Sequence, residues 1–415
     1  MPTFCSSDEL QTYADLIVRV GVNLQPGQRL LVRADLQTVD LVRAVARSAY
    51  RAGARFVDIL WGDEQLALVR VQEAPRDSLE EVAAWVPTVT AAHLEAGDAL
   101  VSIYAATPTL LSGQDPALIS TMMRAAARAA KPASDLVQRH AAAWVVVSYP
   151  TPGWAAEIFP DLPAEERLPR LWQAIATTCR LDQPDPIAAW QQHVQGLEAC
   201  CRYMNARRYD AIRLRAPGTD LTVGLADDHL WAGGGAHNAA GLPFVPNLPT
   251  DEIFTLPHRA RAEGVLSSSR PLNYGGTLID DFRIHFRDGR VTAVSAAKGE
   301  DTLRRLVETD EGAARLGELA LVPASSPVGR TGLLFANTLF DENAASHLAL
   351  GNGYRSCIRD GGSMDDGRFT EAGGNLSVVH VDFMIGTATM DVDGICANGS
   401  IEPVMRAGEW AFSAT

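Results

Sequence analysis

Hydrophobic and polar positions divide this chain into two stretches with different rhythms. From residue 8 to about 206, helical and strand periods alternate. Leu10, Tyr13, Ala14, Ile17 and Val18 make one apolar stripe, which predicts a helix over 8–22 capped by Ser7. RLLVRA (29–34) predicts a strand, and VDLVRAVARSAYRAG (39–53) predicts a helix that stops at Gly53. RFVDILW (55–61), DALVSIYAA (98–106) and AAWVVVSYP (142–150) predict three more strands, with helices between them. Further helical periods cover 163–181 and 186–206. This βαβ rhythm builds an open, mostly parallel sheet.

Near residue 208 the period changes and strands dominate. DAIRLRAP (210–217), DLTVGL (220–225), DDFRIHFRDGRVTAVSA (280–296), LALVPA (319–324) and VVHVDFMIG (378–386) carry the pattern, and RDGR (287–290) marks a hairpin turn. Glycine-rich loops, WAGGGAHNAAG (231–241) and RDGGSMDDG (359–367), separate them. The expected organisation is an N-terminal α/β domain over 1–207 and a strand-rich α+β domain over 208–415.

Composition narrows the chemistry. A chain of 415 residues with 47% apolar content has ample core. Its net charge of −14, with no basic cluster, argues against a nucleic-acid partner. Lys131 and Lys298 are the only lysines, which leaves few candidates for Schiff-base catalysis. The first residues are acidic and amphipathic, so no signal peptide is expected, and no apolar run approaches the roughly 20 residues of a membrane span. The six cysteines form no CxxC pair, which argues against a thiolate zinc site or a disulfide framework and fits a reducing cytoplasm. GxSxG, GxxxxGK[ST] and HExxH are absent. GNGYRS (351–356) begins like a dinucleotide fingerprint, but it lacks the third glycine and follows what reads as a helical pattern.

The strand predicted over 378–386 poses a sharper question. Residues two apart in a strand share a face, so His380 and Asp382 project together from a run that otherwise reads as buried. A buried carboxylate needs a partner or a metal. Glu252, Glu318, Glu342, His347 and Tyr354 are likewise embedded in apolar segments of the second half. Each has an ordinary reading of its own: an arginine partner, a helix N-terminus, a core histidine, a packing aromatic. Together they form a set of imidazoles and carboxylates without thiolate, as a catalytic pair of zinc, cobalt or manganese ions uses. In such a site Glu318 is the expected bridge between the metals.

Four blocks carry a family resemblance: PNLPTDEIFTLPHRARAEG (246–264), RLGELALVP (315–323), TLFDENAASHLALGNGY (338–354) and VVHVDFMIG (378–386). YADLIVRVGVNLQPGQRLLVRA (13–34) extends it over essentially the whole chain. The sequence resembles the thermophilic aminopeptidase family, dinuclear metallopeptidases of the aminopeptidase T and aminopeptidase S type. The resemblance implies metal ligands at Glu252, Glu318, His347, His380 and Asp382. It puts a further ligand or general base at Glu342 and a catalytic tyrosine at Tyr354. It also implies two divalent ions per chain, a homodimer enclosing an internal cavity, and release of N-terminal residues from short peptides. Asp251 stands where the family commonly has a first glutamate, and the 354–380 loop is slightly long. Two other readings share these ligands: a hydrolase of other amides or esters, and a non-catalytic metal-binding protein. A nicotinamide-dependent oxidoreductase would rest on the βαβ rhythm alone.

Overall fold

The β-branched runs of the first half form a four-stranded, all-parallel sheet in the order Phe56–Gly62, Arg29–Asp35, Ala99–Tyr104, Trp144–Ser148. The computed structural model describes residues 4–275 and 277–413. Leu30, Leu31 and Val32 are fully buried in succession, as expected where helices cover both faces of a parallel strand. The predicted first helix is shorter than its stripe suggests. It runs Ser7–Leu16 and passes into a π-helical turn over Ile17–Gly21. Its cap is Ser6, not Ser7, because Ser6 and Glu9 close a reciprocal capping box. Among the described residues no helix is long and apolar enough to cross a membrane.

The chain divides into two compact units, Met1–Gln192 with Gly235–Pro249, and His193–Gly234 with Thr250–Thr415. In the second unit the strands are antiparallel. Nine of them form one large sheet, in which Thr277–Arg287 and Arg290–Lys298 make the hairpin anticipated at RDGR. Asp288 and Gly289 both take positive φ there, as such a two-residue turn requires.

A second, five-stranded sheet has the order His380–Met384, His347–Gly351, Leu316–Leu321, Ile253–Thr255, Ala232–Gly233. Ile253, Leu319, Leu321, Leu348, Leu350 and Phe383 pack into one hydrophobic core. Two expectations need correction here. The His380 strand lies at the sheet edge, so Val378 just outside it is 83% exposed instead of buried. The segment before GNGY is also a strand and not a helix. Its β-branch-free HLALG reads as helical, but pairing on both sides overrides that propensity. Gly351 ends it at φ 108°, and a side chain there would collide with the Val379 carbonyl. That glycine is required by the close packing of the neighbouring strand.

Candidate metal centre

Sheet register brings the predicted residues together. Glu318 lies opposite Ala349, and Ala349 lies opposite Asp382 on the next strand. Directly paired residues project to the same face, as do residues two apart. Glu318, His347, His380 and Asp382 therefore share one face, and the leucines between them supply the core on the other. Ala349 sits at the middle of the row, where its methyl leaves space between two carboxylates. Glu252 directly precedes Ile253, whose side chain joins the core, so Glu252 falls on the site face as well.

Glu318 reaches that face through an irregularity. The register shifts between Leu316, which pairs with Leu350, and Glu318, which pairs with Ala349. This bulge at Gly317 lets Leu316 enter the core while Glu318, two residues on, points the opposite way. The predicted strand began after Glu318; the observed one, Leu316–Leu321, holds it in mid-strand.

The side chains form two triads that share Glu318. Glu252, Glu318 and His347 offer ligand atoms within 4.8 Å of one another, and so do Glu318, His380 and Asp382. His347 Nε2 stands 3.2 Å from Glu252 Oε2 and 3.8 Å from Glu318 Oε1. His380 Nε2 stands 3.3 Å from both Glu318 Oε2 and Asp382 Oδ1. One oxygen of Glu318 thus faces each triad. Both rings are oriented from behind: His347 Nδ1 donates to the Ala345 carbonyl at 3.2 Å and His380 Nδ1 to the Asn352 carbonyl at 2.7 Å. A carbonyl only accepts, so each ring carries its proton on Nδ1 and presents Nε2 to the carboxylates, the tautomer a metal ligand needs.

Electrostatics point the same way. Burial, and then the charge of Asp382, raises the Glu318 carboxyl despite its bond to His380. Burial opposes a charge on His347, yet Glu252, Asp382 and Glu318 together hold the imidazole up to about 10. His380 is likewise raised, against burial, by Asp382 and Glu318. Protons on the rings answer a crowd of acids that a divalent cation would answer in their place. Glu252 Oε2 and Asp382 Oδ1 are buried oxygens that face only the ring nitrogens of His347 and His380, at 3.2 and 3.3 Å and poorly aligned for a hydrogen bond. Such atoms, in an oxygen- and imidazole-only donor set, fit a metal ion.

Glu342 belongs to neither triad. Burial, followed by Glu252 and Asp382, lifts its carboxyl well above the usual range, so it stands among the same acids. The Tyr354 ring packs 4.7 Å from the His380 ring and 6.1 Å from Phe254. Its phenol is raised well above its ordinary value by burial and then by the charge of Glu318. Asp251 is buried outside both triads, and its backbone N–H donates to Asn343. The orienting carbonyls of Ala345 and Asn352 left no trace in the sequence, because any residue supplies a carbonyl.

The sequence profile of the thermophilic metalloprotease (M29) family matches residues 6–410. Aminopeptidase T of Thermus thermophilus is 46% identical over 401 residues, which span 97% of this chain and 98% of that protein. Aminopeptidase 2 of Geobacillus stearothermophilus is 44% identical over 404 residues, 97% of this chain and 98% of that one. The solved structure of wild-type AmpT from Thermus thermophilus superposes with a TM-score of 0.93 at 44% identity, over 98% of this chain and 99% of that one.

Proposed function

This chain belongs to the thermophilic metalloprotease (M29) family, and from that premise we propose that it is a dinuclear metalloaminopeptidase releasing N-terminal residues from short peptides. The observation that carries the reading is the pair of triads sharing Glu318, each with an imidazole turned to present Nε2. In this reading Glu252, Glu318 and His347 would hold one ion, and Glu318, His380 and Asp382 would hold the other, Glu318 contributing to both. Zinc, cobalt and manganese all accept these donors. Two such ions supply a Lewis acid for the scissile carbonyl and lower the pKa of water toward neutrality.

The protein's own residues do the rest. Glu342, unclaimed by either triad and raised in pKa, takes the proton of the attacking water and returns it to the leaving amine. Tyr354, kept protonated beside His380, donates a hydrogen bond to the developing oxyanion. A carboxylate of the cluster receives the free α-amine, which restricts cleavage to the first residue. Catalysis belongs to the second compact unit, His193–Gly234 with Thr250–Thr415, rather than to a domain over 208–415, and the active form is a cytoplasmic homodimer. The test is hydrolysis of leucyl p-nitroanilide and its N-acetylated analogue, before and after chelation and with zinc, cobalt or manganese restored. Cleavage of the free-amine substrate alone, lost on chelation and regained with metal, is the expected result. Equal cleavage of both substrates would make the protein a broader amide hydrolase, and no cleavage by loaded protein would leave it a metal-binding protein.

A further inference from the structure

Asn375 stands five residues before His380, on the segment that leads into the edge strand. Its side chain is fully buried. Its Nδ2 donates to two carbonyls, Gly351 at 2.6 Å and Gly312 at 2.8 Å. Carbonyls only accept, so the amide nitrogen and not the oxygen faces them. The Oδ1 atom finds no hydrogen bond among the described residues. An orphaned buried oxygen is a cost that a leucine of similar shape would avoid, so the two donated bonds are what asparagine supplies here.

Those bonds converge on the strands of the proposed ligands. Gly351 ends the His347 strand and lies opposite His380. Gly312 begins the short turn Gly312–Ala314, just ahead of the Glu318 strand. The packing is close, since a side chain at Gly312 would collide with the Leu376 carbonyl.

Between Gly351 and Gly353, the peptide planes on either side of Asn352 are both pinned. In the first, the Gly351 carbonyl accepts from the Asn375 side chain, and the Asn352 N–H donates to the Val379 carbonyl at 2.7 Å. In the second, the Gly353 N–H donates to the Asn375 main-chain carbonyl at 2.8 Å, and the Asn352 carbonyl accepts from His380 Nδ1 at 2.7 Å. The second plane joins Asn375 to His380 by a continuous relay, in which each bond polarises the next. With both planes held, the Asn352 carbonyl has one direction, and it turns His380 Nε2 toward Glu318 and Asp382. His347 is oriented separately, by the Ala345 carbonyl.

We infer that Asn375 is a positioning residue: it fixes the Asn352 carbonyl, and through it the His380 imidazole, so that it governs one ion of the pair and not the other. The inference rests on the dinuclear reading above.

Asn375→Leu keeps the shape and removes both donors. In zinc titration calorimetry, the ion that His380→Ala removes should bind about 10–100-fold more weakly, the range for losing a group behind a metal ligand. The ion that His380→Ala retains should bind as before. Adding Asn375→Leu to His380→Ala should then change nothing, because the residue through which it acts is gone. Equal weakening of both ions, no weakening of either, or an undiminished effect in the His380→Ala background would overturn the assignment.

Amide hydrogen exchange of the metal-free protein reads the relay with no ion bound. The N–H groups of Asn352 and Gly353 should exchange about tenfold faster in Asn375→Leu, as for one lost hydrogen bond, while Leu319 and Leu348 keep their protection. Loss spread evenly over the sheet would make Asn375 a general stabiliser and sink the assignment. Local loosening in a protein that binds one ion or none would support the relay, and the dinuclear reading would fail by itself. Asn375→Ala, which leaves room for a water, serves if the leucine variant does not fold. Failure of both to fold would make the residue structural and overturn the positioning role.

Discussion

Tyr354 and His380 touch ring to ring, yet their predicted losses differ in kind. Tyr354→Phe keeps the ring and removes the hydroxyl, so kcat should fall by about 10²–10³ with metal content and KM little changed. His380→Ala removes a proposed ligand. It should abolish turnover and reduce bound metal from two ions per chain to one, measured by elemental analysis, while circular dichroism stays native. Full activity with two bound ions would refute the ligand assignment. Asp341, beside the site, carries a pH signature. Burial raises its carboxyl to about 6 from an ordinary 3.8, although Phe335 and Asn337 donate to it. A raised value means that protonation favours the fold. Its contribution is complete below about pH 4 and is lost as pH climbs to about 6, about 3 kcal/mol at about 1.4 kcal/mol per unit. Asp341→Asn should remove that slope, read as the difference between the two proteins' thermal midpoints at pH 4 and pH 7.

At the scale of the element, the bulge at Gly317 decides whether Glu318 is a core defect or a site residue. A side chain at Gly317 would strike the carbonyls of Gly351 and Asn352. Gly317→Val should therefore displace Glu318, costing activity and both metals together, where His380→Ala costs one. Leu348→Ala probes the opposite face of the same sheet. It should destabilise the protein by about 2–5 kcal/mol in denaturant unfolding and leave metal content intact below the transition. The alternation in VVHVDFMIG made the shared face of His380 and Asp382 legible, because a strand's period is local. The bulge was not legible, since it depends on backbone more than thirty residues away. Nor was the Glu252–His347 proximity, which register across two intervening strand pairings creates. HLALG misled for the same reason: its helical propensity is a weak local preference, and two neighbouring strands outvote it.

Across the whole molecule, the two units do not follow the order of the chain. Residues 235–249 return to the first unit after forty-two residues in the second. There the N–H of Val146 donates to the Pro246 carbonyl at 2.7 Å, and the N–H of Leu248 donates to the Val146 carbonyl at 3.1 Å. The returning segment thus occupies the free side of the last parallel strand, Trp144–Ser148. A fragment ending at 207 would contain every strand of that sheet and lack its cover. An uncovered, valine-rich edge templates pairing with other chains. Such a fragment should collect in inclusion bodies, whereas the same fragment co-expressed with a peptide spanning 235–249 should be more soluble. Gene fusions and recombination face the same constraint: no single crossover point inherits the first unit whole.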